Sequence, residues 1–363
     1  MISQDPANMN YLTGYDAWSF YYAQCVLVHI NEDEPICFLR PMDAGGAYIK
    51  TYLQDKNIIK YDEKCIHTWP SHPYDYLVEE IKRRKWDNQC IGLEMDSHYF
   101  TAYCYEKIKQ GLPNAKIKDS ERLVNWVRLV KSNAEIDLMR IASKITEKGM
   151  KTAIESINPG VRQCDAVAEI QKSLIGGTPE FGGDYSGIVP LLPTGKGTSA
   201  SHLTWTEEKF IKGEATIVEL AGVYKKYNCP MARTIMLGKA DQKKIDTMKA
   251  TNEALDSGIS EIKPGKTCDE VAQKFWKVLD KYGIKKNSRT GYSIGIGYPP
   301  DWGEHTLNIQ KGDKTILQPN VTFHMIAVMQ FGNWGAHSSE SIRVTEKGYE
   351  LFCDFSREWH IKE

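Results

Sequence analysis

The hydrophobic positions of this chain alternate between two periods. After residue 43, apolar residues recur at helical spacing over 44–54, 74–85 and 99–110, and the last of these runs into Gly111-Leu112-Pro113. Between them, QCIGLE at 89–94 predicts a short buried strand. Ahead of them, the apolar run at 25–30 predicts a strand, with PICFLR at 35–40 as its hairpin partner across an acidic turn at 31–34. Asp5-Pro6-Ala7-Asn8 reads as a turn, so early in the chain that a preceding helix and strand look absent. Strands alternating with helices predict an α/β domain over residues 1–122. It contains no phosphate loop and no dinucleotide-binding glycine fingerprint.

From residue 123 the pattern changes. Ser132-Asn133-Ala134-Glu135 is a capping box, and Ile136, Met139, Ala142, Ile145 and Met150 follow at helical spacing, so a long amphipathic helix starts a second domain over 123–363. The connection has few Gly, Pro or Ser residues, which predicts two packed domains. The second domain repeats itself. IESINPG at 154–160 followed by CDAVA at 164–168 returns as ISEIKPG at 259–265 followed by CDEVA at 268–272. About eight identities align once a single-residue gap is placed after the Pro-Gly, which weakens coincidence as the explanation. Each copy reads as a helix, a Pro-Gly turn and a second helix capped near Asp165 or Asp269. Hairpin-like runs follow at 188–238 and 294–345, giving two αα-then-ββ halves with a pocket expected where their sheets meet.

At the centre lies TIVELAGVYKKYNCPMARTIMLG, residues 216–238, whose two β-branched runs flank a break at 225–228 as in a buried hairpin. Glu219 stands between Val218 and Leu220, where an unpaired carboxylate costs several kcal/mol or is forced to neutralise. Either Glu219 performs chemistry, or it faces the wet side of the sheet, or it pairs with Arg233 across the hairpin.

Composition narrows the function. A length of 363 residues suits two domains, and a formal net charge of −1 gives no footprint for nucleic acid. No apolar run approaches a membrane span, and MISQDPANMN lacks the build of a secretory signal. The nine Cys are scattered and never form C-x-x-C, which reads as the reduced thiols of a cytoplasmic protein; Cys65-x-His67 is too sparse for zinc. Most of the cluster Tyr15, Trp18, Phe20, Tyr21 and Tyr22 is expected in the core, although Trp18 beside Asp16 also suits a pocket for a cation.

The duplication, together with WVRLVKSNAEIDLMRIASKITEKGM, closely resembles the pita-bread fold of creatinase, prolidase and methionine aminopeptidase over nearly the whole chain. The resemblance implies an α+β fold class: a pita-bread C-terminal domain behind a smaller creatinase-type N-terminal domain. Metal-dependent members use two Asp, one His and two Glu as ligands. Here the first Asp position falls on Glu219, the second on Pro230, the His on Tyr292, the first Glu on His324, and the last near Ser339 and Glu340. Pro has no side-chain donor and Tyr substitutes poorly for imidazole, so no metal and no cofactor are expected.

A narrower resemblance is carried by NMNYLTGYDAWSFYY, IVPLLPTGKG with SHLTW, VELAGVYKKYNCPMART, YSIGIGYPPDWGEHT, FHMIAVMQFGNWG and SESIRVTEKGYE. These segments look like the ectoine hydrolases of the same superfamily, with GYPPDWGE and the pairing of Glu219 with Pro230 as the specific part. That likeness implies metal-free hydrolysis of the cyclic amidine of ectoine to an N-acetyl-2,4-diaminobutyrate, with Glu219 at the position of a glutamate that bonds to substrate. Two positions depart from the family pattern: His305, where Arg is expected, and His337, where Glu is expected.

The chemistry asks for a nucleophile, a proton shuttle, an anion for the cation and a donor for the carboxylate. Glu219 suits the nucleophile or base, and His324 in the apolar run NVTFHMIAVM suits the shuttle, against the alternative of a satisfied core histidine. Trp302 and Trp334 suit stacking on the amidinium, with Trp18 arriving from the first domain or a neighbouring subunit, although each Trp alone reads as core. Tyr292 and His202 suit the carboxylate, and Glu304 or Glu340 the ring nitrogens; an exposed Glu304 and a turn-forming Asp301 are the plainer alternatives. The expected protein is a homodimer acting on a small molecule, with no nucleic-acid or membrane partner. Its rivals are a metal-dependent peptidase or lyase of the same fold, and an inactive binding protein.

Overall fold

A computed structural model describes residues 1–362. The chain forms two compact units, Met1–Val127 and a second from Arg128 onward. In the first, strands β1 (Ile2–Ser3), β2 (Cys25–Leu27), β3 (Ile36–Leu39), β4 (Ile58–Lys60), β5 (Cys90–Leu93) and β6 (Lys116–Asp119) form one sheet in the order β4-β3-β2-β1-β5-β6. Helices α1 (Pro6–Thr13), α2 (Ala44–Lys50), α3 (Pro73–Arg83) and α4 (Ala102–Gly111) accompany it, and α5 (Leu123–Arg128) spans the division. The expected hairpin is present, with Cys25 opposite Phe38 and Leu27 opposite Ile36.

The expectation about the start of the chain needs correction. Asp5-Pro6 is a helix start and not a turn: the Asp5 carboxylate accepts from Ala7 N, and Pro6 takes the first helical position, where a missing N–H costs nothing. A strand and a helix therefore open this unit. Buried Glu94 fixes both, accepting hydrogen bonds from Ser3 Oγ at 2.6 Å, Gln4 N at 2.8 Å and Asn8 Nδ2 at 2.7 Å. The aromatic cluster also differs from expectation. Tyr15 is core at 3% exposure, whereas Trp18 and Tyr21 are 57% and 65% exposed.

The second unit contains α6 (Asn133–Ser156), α7 (Gln163–Gly176), β7 (Ala215–Tyr224), β8 (Tyr227–Leu237), α8 (Gln242–Ser260) and α9 (Cys268–Lys281). After these come β9 (Gly291–Tyr298), β10 (Asp301–Asn308), β11 (Thr322–Gln330), β12 (Gly335–Val344), β13 (Tyr349–Leu351) and β14 (His360–Lys362). The sheet order is β13-β12-β11-β9-β8-β14, with β7 paired to β8 and β10 to β9. The capping box at α6 forms as read, with Ser132 N donating to Glu135 Oε2 at 2.7 Å. Gly222 lets α6 lie against β7, since a Cβ there would stand 2.3 Å from Thr146 N. Thr146 Oγ1 uses the close approach to bond Cys229 O at 2.6 Å and to accept from Gly222 N at 2.9 Å.

Two readings of this unit are refined. The break in the central hairpin is the two-residue loop Lys225-Lys226, both at positive φ as a primed turn requires, so Tyr227 and Asn228 belong to β8. The repeat is real but ungapped. Gly160 N bonds Phe210 O as Gly265 N bonds Leu317 O, both at 2.9 Å, and Arg162 bridges Lys209 as Thr267 bridges Ile316. Arg162 and Thr267 are the matching N-caps, so Asp165 corresponds to Glu270 and not to Asp269. The expected caps at Asp165 and Asp269 are wrong by a few positions because the Cys-Asp identity drew the alignment away from the backbone register.

Candidate active site

In the β7–β8 ladder Glu219 lies opposite Ala232, and Val218 lies opposite Arg233. Side chains of adjacent strand residues point to opposite faces, so Glu219 and Arg233 cannot meet. Arg233 instead pairs with Glu340 on β12, Nη2 to Oε1 at 2.8 Å, both at most 2% exposed. Glu219 is left with 14% of its side chain exposed and its carboxylate with no hydrogen bond from the described residues; His337 Nδ1 stands 3.6 Å from Oε2. Burial, with the charge of Asp301 adding to it, pushes the Glu219 carboxyl up to about 7. His337 is held down to about 3 by burial and by the field of Lys286, so it is neutral and the 3.6 Å contact is not an ion pair.

A hydrogen-bonded relay is built across the sheet beside this carboxylate. Trp302 Nε1 donates to Tyr292 Oη at 2.8 Å, Tyr292 Oη lies 3.0 Å from His324 Nδ1, His324 Nε2 lies 2.6 Å from Ser339 Oγ, and Ser339 Oγ accepts from Ala232 N at 2.7 Å. His324 is fully buried, and burial lowers its pKa well below the ordinary value, so the ring carries one proton. Tyr292, His324 and Ser339 then hold three hydrogens for two links. One hydroxyl hydrogen is in surplus. Ser339 is fully buried with no further acceptor among the described residues, whereas Tyr292 is half-buried and feels the field of Glu219. The surplus proton therefore belongs to Tyr292, and His324 acts behind it.

The other predicted site residues separate. Asp301 stands near Glu219 and keeps its charge: burial opposes ionisation, but His305 Nε2 at 3.2 Å and Gly303 N at 3.0 Å outweigh it and lower its pKa. This contact also occupies His305, one of the two departures from the family pattern. Trp302 is fully buried and supports Tyr292 without offering a face for stacking. Glu304 is not exposed: at 1% exposure it bonds Lys131 Nζ at 2.6 Å and lies 3.6 Å from Arg128. Glu304 and Glu340 thus serve buried cations of the chain itself. Trp334 stacks on Phe331 at the tip of the β11–β12 hairpin, 4.8 Å between ring centres. His202 is exposed at positive φ, and Trp18 stands in the first unit against Phe20. Period-two alternation on β12 puts His337 and Ser339 on one face and Glu340 on the other, a signal present in the sequence but not used for Ser339.

The fold implies a metal in most relatives, and the donor set does not suit one. Pro230 has no side-chain donor atom, both ring nitrogens of His324 are occupied, and Glu340 Oε1 is taken by Arg233. No group of three or more His, Cys, Asp or Glu suited to a metal exists among the described residues.

Comparison with known proteins agrees with this architecture. The metallopeptidase M24 family matches residues 137–346, and the creatinase/prolidase N-terminal domain matches residues 1–130. Ectoine hydrolase of Halomonas elongata is 42% identical, covering 100% of this chain and 92% of that protein. An uncharacterised hydrolase/peptidase of Sinorhizobium fredii is 37% identical, covering 100% and 93%. Among solved structures, prolidase from Thermococcus sibiricus superimposes with a TM-score of 0.86 at 17% identity, covering 100% of this chain and 94% of that one. Xaa-Pro dipeptidase from Bacillus anthracis gives 0.82 at 19%, covering 99% and 94%. At such identities the likeness to solved structures is one of fold alone. The chain belongs to the M24 metallopeptidase family, carries that family's creatinase/prolidase N-terminal domain, and is a relative of ectoine hydrolase within it.

Proposed function

We propose that this protein hydrolyses ectoine, or a close cyclic amidine, to N-acetyl-2,4-diaminobutyrate without a metal. The observation that carries the reading is a carboxylate, Glu219, largely withdrawn from water with no Lys or Arg among the described residues paired to it, whose charge is felt by Tyr292, a hydroxyl with a proton to give. An amidinium ring satisfies that carboxylate as a counter-ion and presents it with an electrophilic carbon. Glu219 either adds to that carbon or takes a proton from a water that adds. The tetrahedral adduct then expels one ring nitrogen as the C–N bond breaks, and Tyr292, backed by His324 and Ser339, supplies that nitrogen with its proton; where Glu219 itself has added, water next adds to the same carbon and the bond to Glu219 breaks, releasing the carboxylate and the acetamide. Water provides the oxygen of the new acetamide, so ring and water together account for every atom of the product.

The likeness to ectoine hydrolase supports the substrate. All nine cysteines are unpaired thiols, which suits a cytoplasmic location. A homodimer is part of the same proposal and is tested by sedimentation. For the reaction, metal-stripped protein is incubated with ectoine and the product followed by mass spectrometry. Turnover is expected, with a loss of about a thousandfold or more in Glu219→Ala. Undiminished turnover by that variant removes Glu219 from the mechanism.

A further inference from the structure

The loop joining α9 to β9 carries a lysine that the chemistry above does not use. Lys286 is only 8% exposed. One of its ammonium hydrogens bonds Ser288 Oγ at 2.5 Å and another the Arg289 carbonyl oxygen at 3.0 Å; no carboxylate of the described residues pairs with it. The third hydrogen has no acceptor among the described residues. A buried ammonium satisfied only by neutral oxygens is costly, and removal of such a charge is normally stabilising. Burial, with Arg289 adding to it, pulls the Lys286 pKa down to about 8.

The position of the loop indicates which anion is missing. Trp276 Nε1 fastens the Lys286 carbonyl at 2.7 Å. Thr290 is tied to Ile326 of β11 by two bonds, Oγ1 to Ile326 O at 2.5 Å and Ile326 N to Thr290 O at 2.8 Å. Two residues further along β11, Val328 lies opposite His337. The charge of Lys286 is felt at His337, whose ring stands 3.6 Å from Glu219. Arg289 lies 4.5 Å over the ring of Tyr292. Two cations of one loop therefore act on Tyr292, which feels the Glu219 charge, and on His337, which stands against the Glu219 carboxylate. An amidinium amino acid is a zwitterion, and Glu219 answers only its positive half. Of the residues expected to hold the negative half, His202 is exposed, and the free hydrogen of Tyr292 is the one the proposed reaction gives to the leaving nitrogen.

We infer that Lys286 receives the carboxylate of the substrate, completing its ammonium shell while the ring lies at Glu219. This rests on the reaction proposed above and adds the group that selects an amino-acid amidine over a plain one. The test uses two ligands, ectoine and its carboxylate-free counterpart, the cyclic acetamidine of 1,3-diaminopropane. Their dissociation constants are measured by titration calorimetry on wild type, Lys286→Met and Lys286→Arg, alongside ectoine turnover.

The wild type is expected to prefer ectoine, and Lys286→Met to lose about 10- to 100-fold in affinity for ectoine and none for the plain ring. Lys286→Arg is expected to restore most of the preference. Comparing two ligands on one variant cancels any general loss of fold. An unchanged preference in Lys286→Met overturns the inference, as does a wild type that prefers neither ligand. Wild type that binds ectoine through Lys286 without hydrolysing it sinks the proposed reaction and leaves the anion site standing. Hydrolysis with the preference intact in Lys286→Met sinks the anion site alone.

Discussion

Glu219 concentrates the energetics of the site. Its folded pKa of about 7 stands above the ordinary value of 4.5, so the protonated form is the one the fold prefers. The stability this contributes is fully present below pH 4.5 and is lost as pH rises through about 7, a change of about 3 kcal/mol. Glu219→Gln removes that dependence. Its melting temperature should match the wild type near pH 4.5 and exceed it above pH 7.5, the gap widening with pH between the two. The reaction needs the opposite state. A carboxylate that attacks carbon or deprotonates water must be ionised, so kcat/KM for ectoine should rise with pH through about 7. A flat profile from pH 5.5 to 8 would show that the free enzyme holds Glu219 ionised throughout and that burial does not govern it. In the proposed reaction the same burial that weakens the fold supplies the reactivity, with the substrate's cation in place of the missing counter-ion.

At the scale of elements, buried ion pairs hold the second unit's strands and connections in register. Arg233 on β8 and Glu340 on β12 join strands that are neighbours in space and 107 residues apart in sequence. Glu304 on β10 meets Lys131, just ahead of α6, and Arg128 at the end of α5. This second cluster positions β10, which also carries Asp301 and Trp302. Glu304→Gln removes the carboxylate that meets two cations at 1–2% exposure, and breaking such a buried pair costs about 3–5 kcal/mol. Urea denaturation should show a midpoint shift of that size, whereas a surface substitution such as Glu169→Gln, whose partner Lys172 is 78% exposed, should change little. Equal stability for Glu304→Gln and wild type would mean that Lys131 and Arg128 find other acceptors.

At the scale of the whole molecule, duplication explains why a site lies at the centre at all. Two αα-then-ββ halves place their strands edge to edge in one sheet, and the residues at its middle come from both: Glu219 from the first half, and Tyr292, His324, His337 and Ser339 from the second. Tyr292, His324 and Ser339 are linked there by hydrogen bonds, and in the proposed reaction these side chains and Glu219, with no metal, carry the chemistry. Chelation should therefore leave both melting temperature and ectoine turnover unchanged, as checked by exhaustive EDTA dialysis with elemental analysis of the product. Loss of activity that stoichiometric metal restores would overturn the metal-free reading.

The chain's own pattern was enough for the helices α2, α3, α4 and α6, for the central hairpin, and for singling out Glu219. A carboxylate between Val218 and Leu220 stands out because strand alternation is a property of neighbours one and two positions apart, and those neighbours are in the sequence. Capping worked for the same reason at Ser132 and failed at Asp5, where a helix start and a turn share the same residues. The partners of the charged groups were decided only by tertiary structure. Glu340, Glu304 and Trp302 carry the residue types of a substrate site, yet sheet order gives the first two to Arg233 and Lys131 and buries the third behind Tyr292. Which face a strand residue takes can be read locally, whereas what waits on that face depends on strands a hundred residues away.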